Sequence, residues 1–377
     1  MHMGDTQFTP QRKKLNTYGP LGYYRILKPS QLIEGHEVKV VGAELKSYGT
    51  DLMSQWQNIF FEHDVFWTGY FNDENLATAI FFFAQRAGKK VIIDVDDNYL
   101  DIPEGNNLYE KFRSGKRDRA LLGSVLSLAD ALTVSTYPLK ERLHEHIRMI
   151  HGIDKPIFVI PNMNDYKDWI APVGPKNPDR ITIGYSASNS HQEDIQMVAP
   201  ALRNIMKKYK NVHLQFIGTI EKDKLPLYFK GFDNEMLSRI ELGAAESVFK
   251  EYPKLLGRTG WDIGIAPLVD TPFTRSKSHI KWMEYAMFEI PTVASRVYPY
   301  FMSIKGKKTI EDGVTGLLTR SNEWEKNLER LILDKELRER IGRQAKETVV
   351  RDWQYEDSNI GDVVNEMLEH LSVEPKK

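Results

Sequence analysis

The chain has 377 residues, and at roughly 150 residues per domain that length predicts about two domains. A chain of this size buries a core large enough to fold without disulfides or a structural metal. It contains no cysteine, which excludes a disulfide framework, a thiol nucleophile, a cysteine-held zinc and an iron–sulfur cluster. Lys and Arg number 51 against 52 Asp and Glu, so global charge offers no attraction for nucleic acid and only a local basic patch could provide one. Charged residues at 27% and aromatics at 11% describe a soluble globular protein rather than a disordered one.

The most apolar run, ATAIFFFA over 77–84, is far shorter than the roughly 20 residues of a spanning helix. The N-terminal stretch MHMGDTQFTPQRKK carries no apolar h-region, so no secretory signal is expected and the expected location is cytoplasmic.

Apolar runs and amphipathic stretches alternate along the chain, the pattern of βα units with parallel sheets. In the first half, strands are predicted over 38–41, 65–68, 91–95, 131–134 and 157–160, with helices over 26–34, 75–87, 118–128 and 138–149. The stretch 171–178 then places Pro172, Pro175 and Pro178 within eight residues, which neither a central strand nor a helix tolerates. It reads as a linker. The pattern restarts with a strand over 181–185, a helix over 193–208 and strands over 212–217 and near Ile240. A helix over 246–256, a strand over 263–266, a helix over 277–288 and strands over 292–294 and 316–318 follow. Helices over 323–333, 336–351 and from about Asp357 to Leu371 close the chain. The predicted fold class is α/β, with two Rossmann-like domains facing a central cleft and C-terminal helices closing the structure. The boundaries are 1–170, a linker at 171–178, 179–352, and a final helical segment at 353–377 that packs back on the first domain. Sheets of this kind bind ligands outside the carboxyl ends of their strands, and two of them place the site in the cleft between.

The most informative stretch is TRSKSHIKWMEYAMFEIPTVAS over 274–295. Lys277, Lys281 and Glu284 are spaced i, i+4, i+7 and share one face of a helix. The helix is expected to start near Ser276, whose hydroxyl caps it, and to stop before Pro291. Its first turn would then offer free N–H groups, a positive dipole end and Lys277, a combination that suits a diphosphate. Glu284, acceptor-only when ionised, suits the two hydroxyls of a ribose. On spacing alone, a solvated stripe with a weak Lys281–Glu284 pair is the favoured reading.

This segment resembles the nucleotide-sugar site of the GT-B glycosyltransferases, in particular the large retaining family (family 4-like, group 1) that carries a Glu–seven residues–Glu motif. Glu284 is followed by YAMFEIPTVAS, in register with that family's phrase after its second Glu. The stretch 310–318, Trp324, and Arg338, Ile341 and Ala345 in the terminal helices extend the resemblance over about the last hundred residues. The resemblance implies that Glu284 holds the donor ribose and that Lys or Arg side chains and loop amides hold the diphosphate. It also implies an acceptor-side first domain, a donor-side second domain and no required cofactor or metal. At the family's first Glu position this chain has Ser276, as in a branch with a KSxxKWxE phrase, in which Lys277 takes over diphosphate neutralisation.

Further candidates follow from the strand ends. The resemblance implies that the loop 184–191 after the 181–185 strand faces the donor, with contacts from Tyr185, Ser186 and His191, although Ser190 and Glu193 also read as a capping box. With Ser276, Ser278, Lys277, Lys281, Glu284 and Gly22, these make the donor-binding set. The loop from Tyr18 to Arg25 contains Gly19, Pro20 and Gly22 and resembles the family's first loop under the transferring sugar, with Gly22 in close approach. Arg25, Tyr24 and Ser135 are candidates for acceptor or phosphate contact. Asp94, Asp96 and Asp97 end the buried 91–95 strand. They suit a divalent cation, an acceptor hydroxyl or a structural cap, and Asp96 and Asp97 are taken with Lys277 as the catalytic candidates. Lys111, Arg113, Lys116, Arg117 and Arg119 in KFRSGKRDR form either a solvated loop or a patch that steers an anionic acceptor such as a phospholipid surface, a glycan or a nucleic acid.

The resulting expectation is a transferase that moves a sugar from a nucleoside diphosphate sugar, UDP- or GDP-linked, to an acceptor hydroxyl, with retention and without a metal. If the reaction inverts, Asp96 or Asp97 is the first base to test. Alternatives are an epimerase on the same architecture, a non-catalytic nucleotide-sugar-binding module, and a nucleic-acid-binding or modifying protein that uses the basic run.

Overall fold

The computed structural model describes residues 2–3, 19–41, 61–188, 190–218, 220–304, 306–356 and 358–372. Tyr18, Asn189 and Asp357, which figure in the sequence reading, lie outside them. In the first half, β1 (Val65–Gly69), β2 (Lys90–Val95), β3 (Ala131–Val134) and β4 (Ile157–Val159) pair in parallel in that spatial order. β2 and β3 are buried along nearly their whole length, which is why they read as apolar runs without alternation. The crossovers are α1 (Glu74–Ala87), α2 (Arg117–Leu128) and α3 (Tyr137–His151). The ends of α1 and α3 are chemically specified. Asp73 caps α1 by accepting from the Leu76 amide, Thr136 caps α3 by accepting from Leu139, and Gly88 and Gly152 end the two helices in the left-handed conformation.

The second sheet contains β5 (Ile181–Ser186), β6 (Val212–Ile217), β7 (Ile240–Gly243), β8 (Ile263–Ala266), β9 (Thr292–Ser295) and β10 (Leu317–Thr319). They lie in the order β10-β9-β8-β5-β6-β7, with every pairing parallel. The chain therefore winds outward one way from β5 to β7 and the other way from β8 to β10. The reversal between β5 and β8 is the switch point at which doubly wound sheets open a ligand crevice beyond the carboxyl ends of their strands. Gly184 and Gly264 face each other across this junction. A methyl group at Gly184 would stand 1.8 Å from the Trp261 ring, and one at Gly264 would stand 2.5 Å from the Tyr285 ring, so only glycines admit these two aromatics. The Trp261 and Tyr285 rings pack edge-to-face with 5.6 Å between centroids, and the Tyr285 hydroxyl accepts from the Ser186 amide at 3.0 Å. This ties the helix carrying Tyr285 to the end of β5.

The helices of this half are α4 (Gln192–Lys208), α5 (Ile280–Ala286), α6 (Trp324–Leu333) and α7 (Lys335–Asp352). After α7 the chain returns to the first half. Asn164 and Gln354 bridge in parallel, and α8 (Ile360–His370) packs there, with Asn365 Oδ1 accepting from the Glu34 amide and the His370 ring against Phe158. Among the described residues no helix is long and apolar enough to cross a membrane.

Three helices differ from expectation. The one expected over 26–34 begins earlier, as a π-helical turn at Gly22–Leu27 that continues as Lys28–Ser30. The one expected over 246–256 is only a 3-10 turn, Phe249–Glu251, leading into Tyr252–Gly257, whose Pro253 sits in the first turn where a missing N–H costs nothing. The one expected over 277–288 spans only Ile280–Ala286. A capping box at Thr271 starts a separate short helix, Pro272–Arg275, and Ser276 is its C-terminal cap. The strand expected over 38–41 is reduced to Val40–Val41, paired with His2–Met3.

Candidate functional site

The carboxyl ends of the two sheets face one cleft, with a volume of about 180 Å³. The first half contributes Tyr24 and Arg25 from its opening helix and Asp96 and Asp97 from the end of β2. The second half contributes His191, Lys277, Ser278 and Lys281. Eight residues picked from four separate stretches of sequence thus line a single cavity. Ser276, Glu284, Tyr185, Ser186, Gly22 and Ser135 do not line it.

The segment 276–278 lies across the ends of the first sheet and holds the halves together. Lys277 Nζ donates to both oxygens of Asp97, at 3.0 and 3.2 Å. Asn98 Nδ2 donates to Ser276 Oγ at 3.2 Å, Thr136 Oγ1 donates to the Ser276 carbonyl at 2.7 Å, and Asn162 Nδ2 donates to Ser278 Oγ at 2.9 Å. Ser276 therefore does not cap α5. Its hydroxyl donates back to the Pro272 carbonyl at 2.9 Å, and the N-cap of α5 is His279, which makes no side-chain capping bond. Lys277 precedes the helix instead of standing in its first turn. With only seven residues, α5 has little macrodipole to offer an anion, so recognition of a diphosphate here falls to side-chain charge.

Lys281 and Glu284 do share a face of α5, but at different depths. Glu284 is buried beneath the cleft, with the Tyr24 hydroxyl 3.4 Å from Oε1 and the Tyr252 hydroxyl 3.1 Å from Oε2. The Tyr252 hydroxyl is also 3.0 Å from Ser186 Oγ, so Ser186, Tyr252 and Glu284 form a chain of polar contacts. Burial pushes the Glu284 carboxyl up, while Lys281 and the two phenols draw it back. Lys281 is half-buried, its ammonium 5.5 Å above the Tyr185 ring, and burial draws it down against the pull of Glu284. Among the described residues no carboxylate oxygen lies within 4 Å of it. Lys281 is thus a cation in the cleft that no carboxylate of the described residues pairs with.

His191 stands at the N-cap of α4 without making a capping bond, and Ser190 Oγ contacts Ser188 Oγ at 2.8 Å, so the expected Ser190–Glu193 capping box does not form. The imidazole Nδ1 instead meets Asp194 Oδ2 at 2.7 Å, while Asp194 Oδ1 accepts from the Val269 amide at 2.7 Å. Burial, and after it the positive charge of Lys281, lower the imidazole to about 4.

The three aspartates diverge. Asp94 is buried and takes the Arg25 guanidinium on both oxygens, at 3.1 and 2.8 Å, together with the Thr133 hydroxyl at 2.6 Å. Arg25 also donates to Asn162 Oδ1 at 2.9 Å and to the Ile160 carbonyl, so most of its donors serve the first half itself. Burial draws its guanidinium down and Asp94 more than restores it. Asp96 accepts from the Tyr99 hydroxyl at 3.1 Å, and Asp97 takes Lys277. Among the described residues no three His, Asp or Glu side chains converge as a metal site requires. Ser135 and Tyr185 are buried with hydroxyls unpartnered among the described residues, and Gly22 lies in the opening π-helical turn. The basic run is dispersed. Arg113 pairs with Glu110 and Arg117 with Glu74, Arg119 turns inward to the carbonyls of Tyr99 and Leu100, and Lys111 and Lys116 are exposed. Sequence reasoning missed Asp194, whose only signal was its i+3 spacing from His191. It also missed Asn98, Asn162 and Tyr252, whose roles arise from contacts across the halves or between distant strands.

No protein-family model matches the chain, and no curated protein matches it in sequence. Solved structures do match its shape. S. aureus TarM, in complex with fondaparinux, α-GlcNAc-glycerol and UDP, aligns at a TM-score of 0.57 and 13% identity over 84% of this chain and 58% of that one. The pneumococcal O-GlcNAc transferase GtfA, in complex with UDP and GlcNAc, aligns at 0.56 and 14% identity over 87% of this chain and 61% of that one. The fold is GT-B. A UDP-forming α,α-trehalose-phosphate synthase from Burkholderia xenovorans also aligns, at 0.53 and 12% identity over 88% of this chain and 81% of that one. The chain spans about 60% of the length of TarM and GtfA. At these identities the likeness is one of fold.

Proposed function

We propose that the chain is a glycosyltransferase that moves a sugar from a nucleoside diphosphate sugar to an acceptor hydroxyl, retaining configuration and needing no metal. One observation carries this reading. Lys281, without a carboxylate partner among the described residues, lines the interdomain cleft one helical turn from the buried Glu284. The developing charge on a diphosphate leaving group would fall on Lys281, joined by Lys277 once the phosphate competes with Asp97. Glu284 would accept the ribose hydroxyls in place of the Tyr24 hydroxyl, which fixes the nucleotide in register. Residues 1–170 would then carry the acceptor side and 179–352 the donor side, joined by 171–178, with 353–377 returning to the first half. UDP and GDP are the carriers to test first, and a same-face departure needs no protein nucleophile. If the outcome is inversion, Asp96 and Asp97 are the bases at hand.

A second reading is a nucleotide-sugar-binding module without transfer, which the engagement of Ser276 by Asn98 away from the cleft favours. The test is release of nucleoside diphosphate from UDP- and GDP-sugars without acceptor. Slow release above the buffer rate, lost in Lys281→Met, supports transfer chemistry. Binding without release from any donor supports the module.

A further inference from the structure

The loop after β5 and the loop after β8 flank the switch point of the second sheet, and one buried carboxylate bridges them. Asp194 holds His191 Nδ1 on one oxygen and the Val269 amide on the other, each at 2.7 Å, and it is buried. An ionised carboxylate only accepts, so the Nδ1 contact requires the ring proton on that nitrogen. The imidazole lines the cleft with Nδ1 occupied and with Nε2 making no bond to a described residue, so the Nε2 edge is the one presented to a ligand. The groups facing it are the Tyr185 ring, Asp194, Lys281 and Lys277. A bare lone pair beside two ammonium groups is a poor partner for a phosphate oxygen and a good one for a hydroxyl. Next to a diphosphate held by those lysines, the hydroxyls available belong to the sugar.

Resting on the donor reading above, we propose that Asp194 is a positioning residue that holds His191 as the Nδ1–H tautomer, so that Nε2 accepts a hydrogen bond from a hydroxyl of the transferred sugar. The low affinity of the buried ring for a second proton keeps that lone pair available at neutral pH. The bland reading, a side-chain clamp at the start of α4, would leave sugar recognition untouched.

The substitution Asp194→Asn separates the two readings. An asparagine can keep the Val269 bond with its oxygen while its NH2 donates to Nδ1, which moves the ring proton to Nε2. Affinities are measured by calorimetry for UDP, UDP-glucose and UDP-N-acetylglucosamine, and for GDP and GDP-mannose. Losing one acceptor to a sugar hydroxyl should weaken the preferred sugar nucleotide about tenfold and leave its free diphosphate within about twofold. His191→Ala should reproduce that split, which guards against a folding defect in the asparagine variant. Nitrogen-15 spectra of the unliganded wild type should show His191 protonated on Nδ1 alone. Equal weakening of diphosphate and sugar nucleotide, no change in either, or a ring protonated on Nε2 in the wild type each overturns the proposal. A wild type that binds none of the nucleotides overturns the donor reading with it, a failure told apart from the others because in those the free diphosphate still binds.

Discussion

Lys281→Met makes opposite demands on stability and on ligand binding. The ammonium is half-buried above the Tyr185 ring with no carboxylate oxygen within 4 Å among the described residues, and burial draws its proton affinity down. A lysine whose affinity for its proton is lower in the fold than in the unfolded chain opposes folding wherever the unfolded chain is protonated, so removing its charge relieves that cost. The relief is limited, because Glu284 loses the positive charge that draws its carboxyl back. Methionine keeps the apolar stem, so the unliganded protein should change by no more than about 1 kcal/mol, in either direction. Binding should respond far more. A single charge interaction at about 4 Å in an effective dielectric near 20 amounts to about 4 kcal/mol before desolvation, and half of that surviving would weaken a nucleoside diphosphate about 30-fold. Differential scanning fluorimetry of both proteins, with and without millimolar nucleoside diphosphate, reads both effects. An unliganded variant that melts many degrees lower would identify Lys281 as a structural counter-ion of Glu284. A variant that binds as tightly as wild type would remove it from the donor site.

Asp97→Asn releases Lys277 from its ion pair and removes a negative charge from the cleft, so affinity for the nucleoside diphosphate should rise several-fold by calorimetry. If Asp97 is also the base of an inverting reaction, turnover falls at the same time. Gly184→Ala sets a methyl group 1.8 Å from the Trp261 ring and should cost about 3 kcal/mol or more in urea unfolding, whereas alanine at the open Gly69 meets nothing within 4 Å. His279 is buried against Trp353 with both ring nitrogens unpartnered among the described residues, and burial lowers it from its ordinary 6.5 to about 3. Between those values the unfolded chain takes up a proton that the folded ring refuses, so stability is present above about pH 6.5 and is lost as pH falls. His279→Phe should flatten that acid limb by roughly 1 kcal/mol per pH unit, checked by unfolding at pH 5 and pH 7.

Most of the main strands were legible because parallel strands buried on both faces are short Val- and Ile-rich runs bounded by polar turns, whereas the half-buried edge strand Ile240–Gly243 gave only a weak signal. Glu284 and the phrase after it were legible because that helix and strand form one local unit. What escaped depended on contacts between residues far apart in the chain. Ser276 looked like a helix cap, but its hydroxyl goes back to Pro272 and meets Asn98, 178 positions away, so the helix starts at Ile280. Arg25 looked available to a ligand until Asp94, 69 positions on, took two of its donors. Ser190 and Glu193 fitted a capping box by spacing, yet the stronger charge-assisted contact between His191 and Asp194 organises that turn. Local pattern picked out residues that line the cleft, and long-range pairing decides which of its cations a carboxylate engages.

In the donor reading, Glu284 and Lys281 hold a nucleoside diphosphate between the two halves. Calorimetric titration of the wild type and of Glu284→Ala with UDP, GDP, ADP and dTDP tests it most directly. One base should be preferred, and Glu284→Ala should weaken that diphosphate while inorganic pyrophosphate, which has no ribose, binds both proteins alike. Absence of binding by all four diphosphates at millimolar concentration, or equal affinity in wild type and variant, would contradict it.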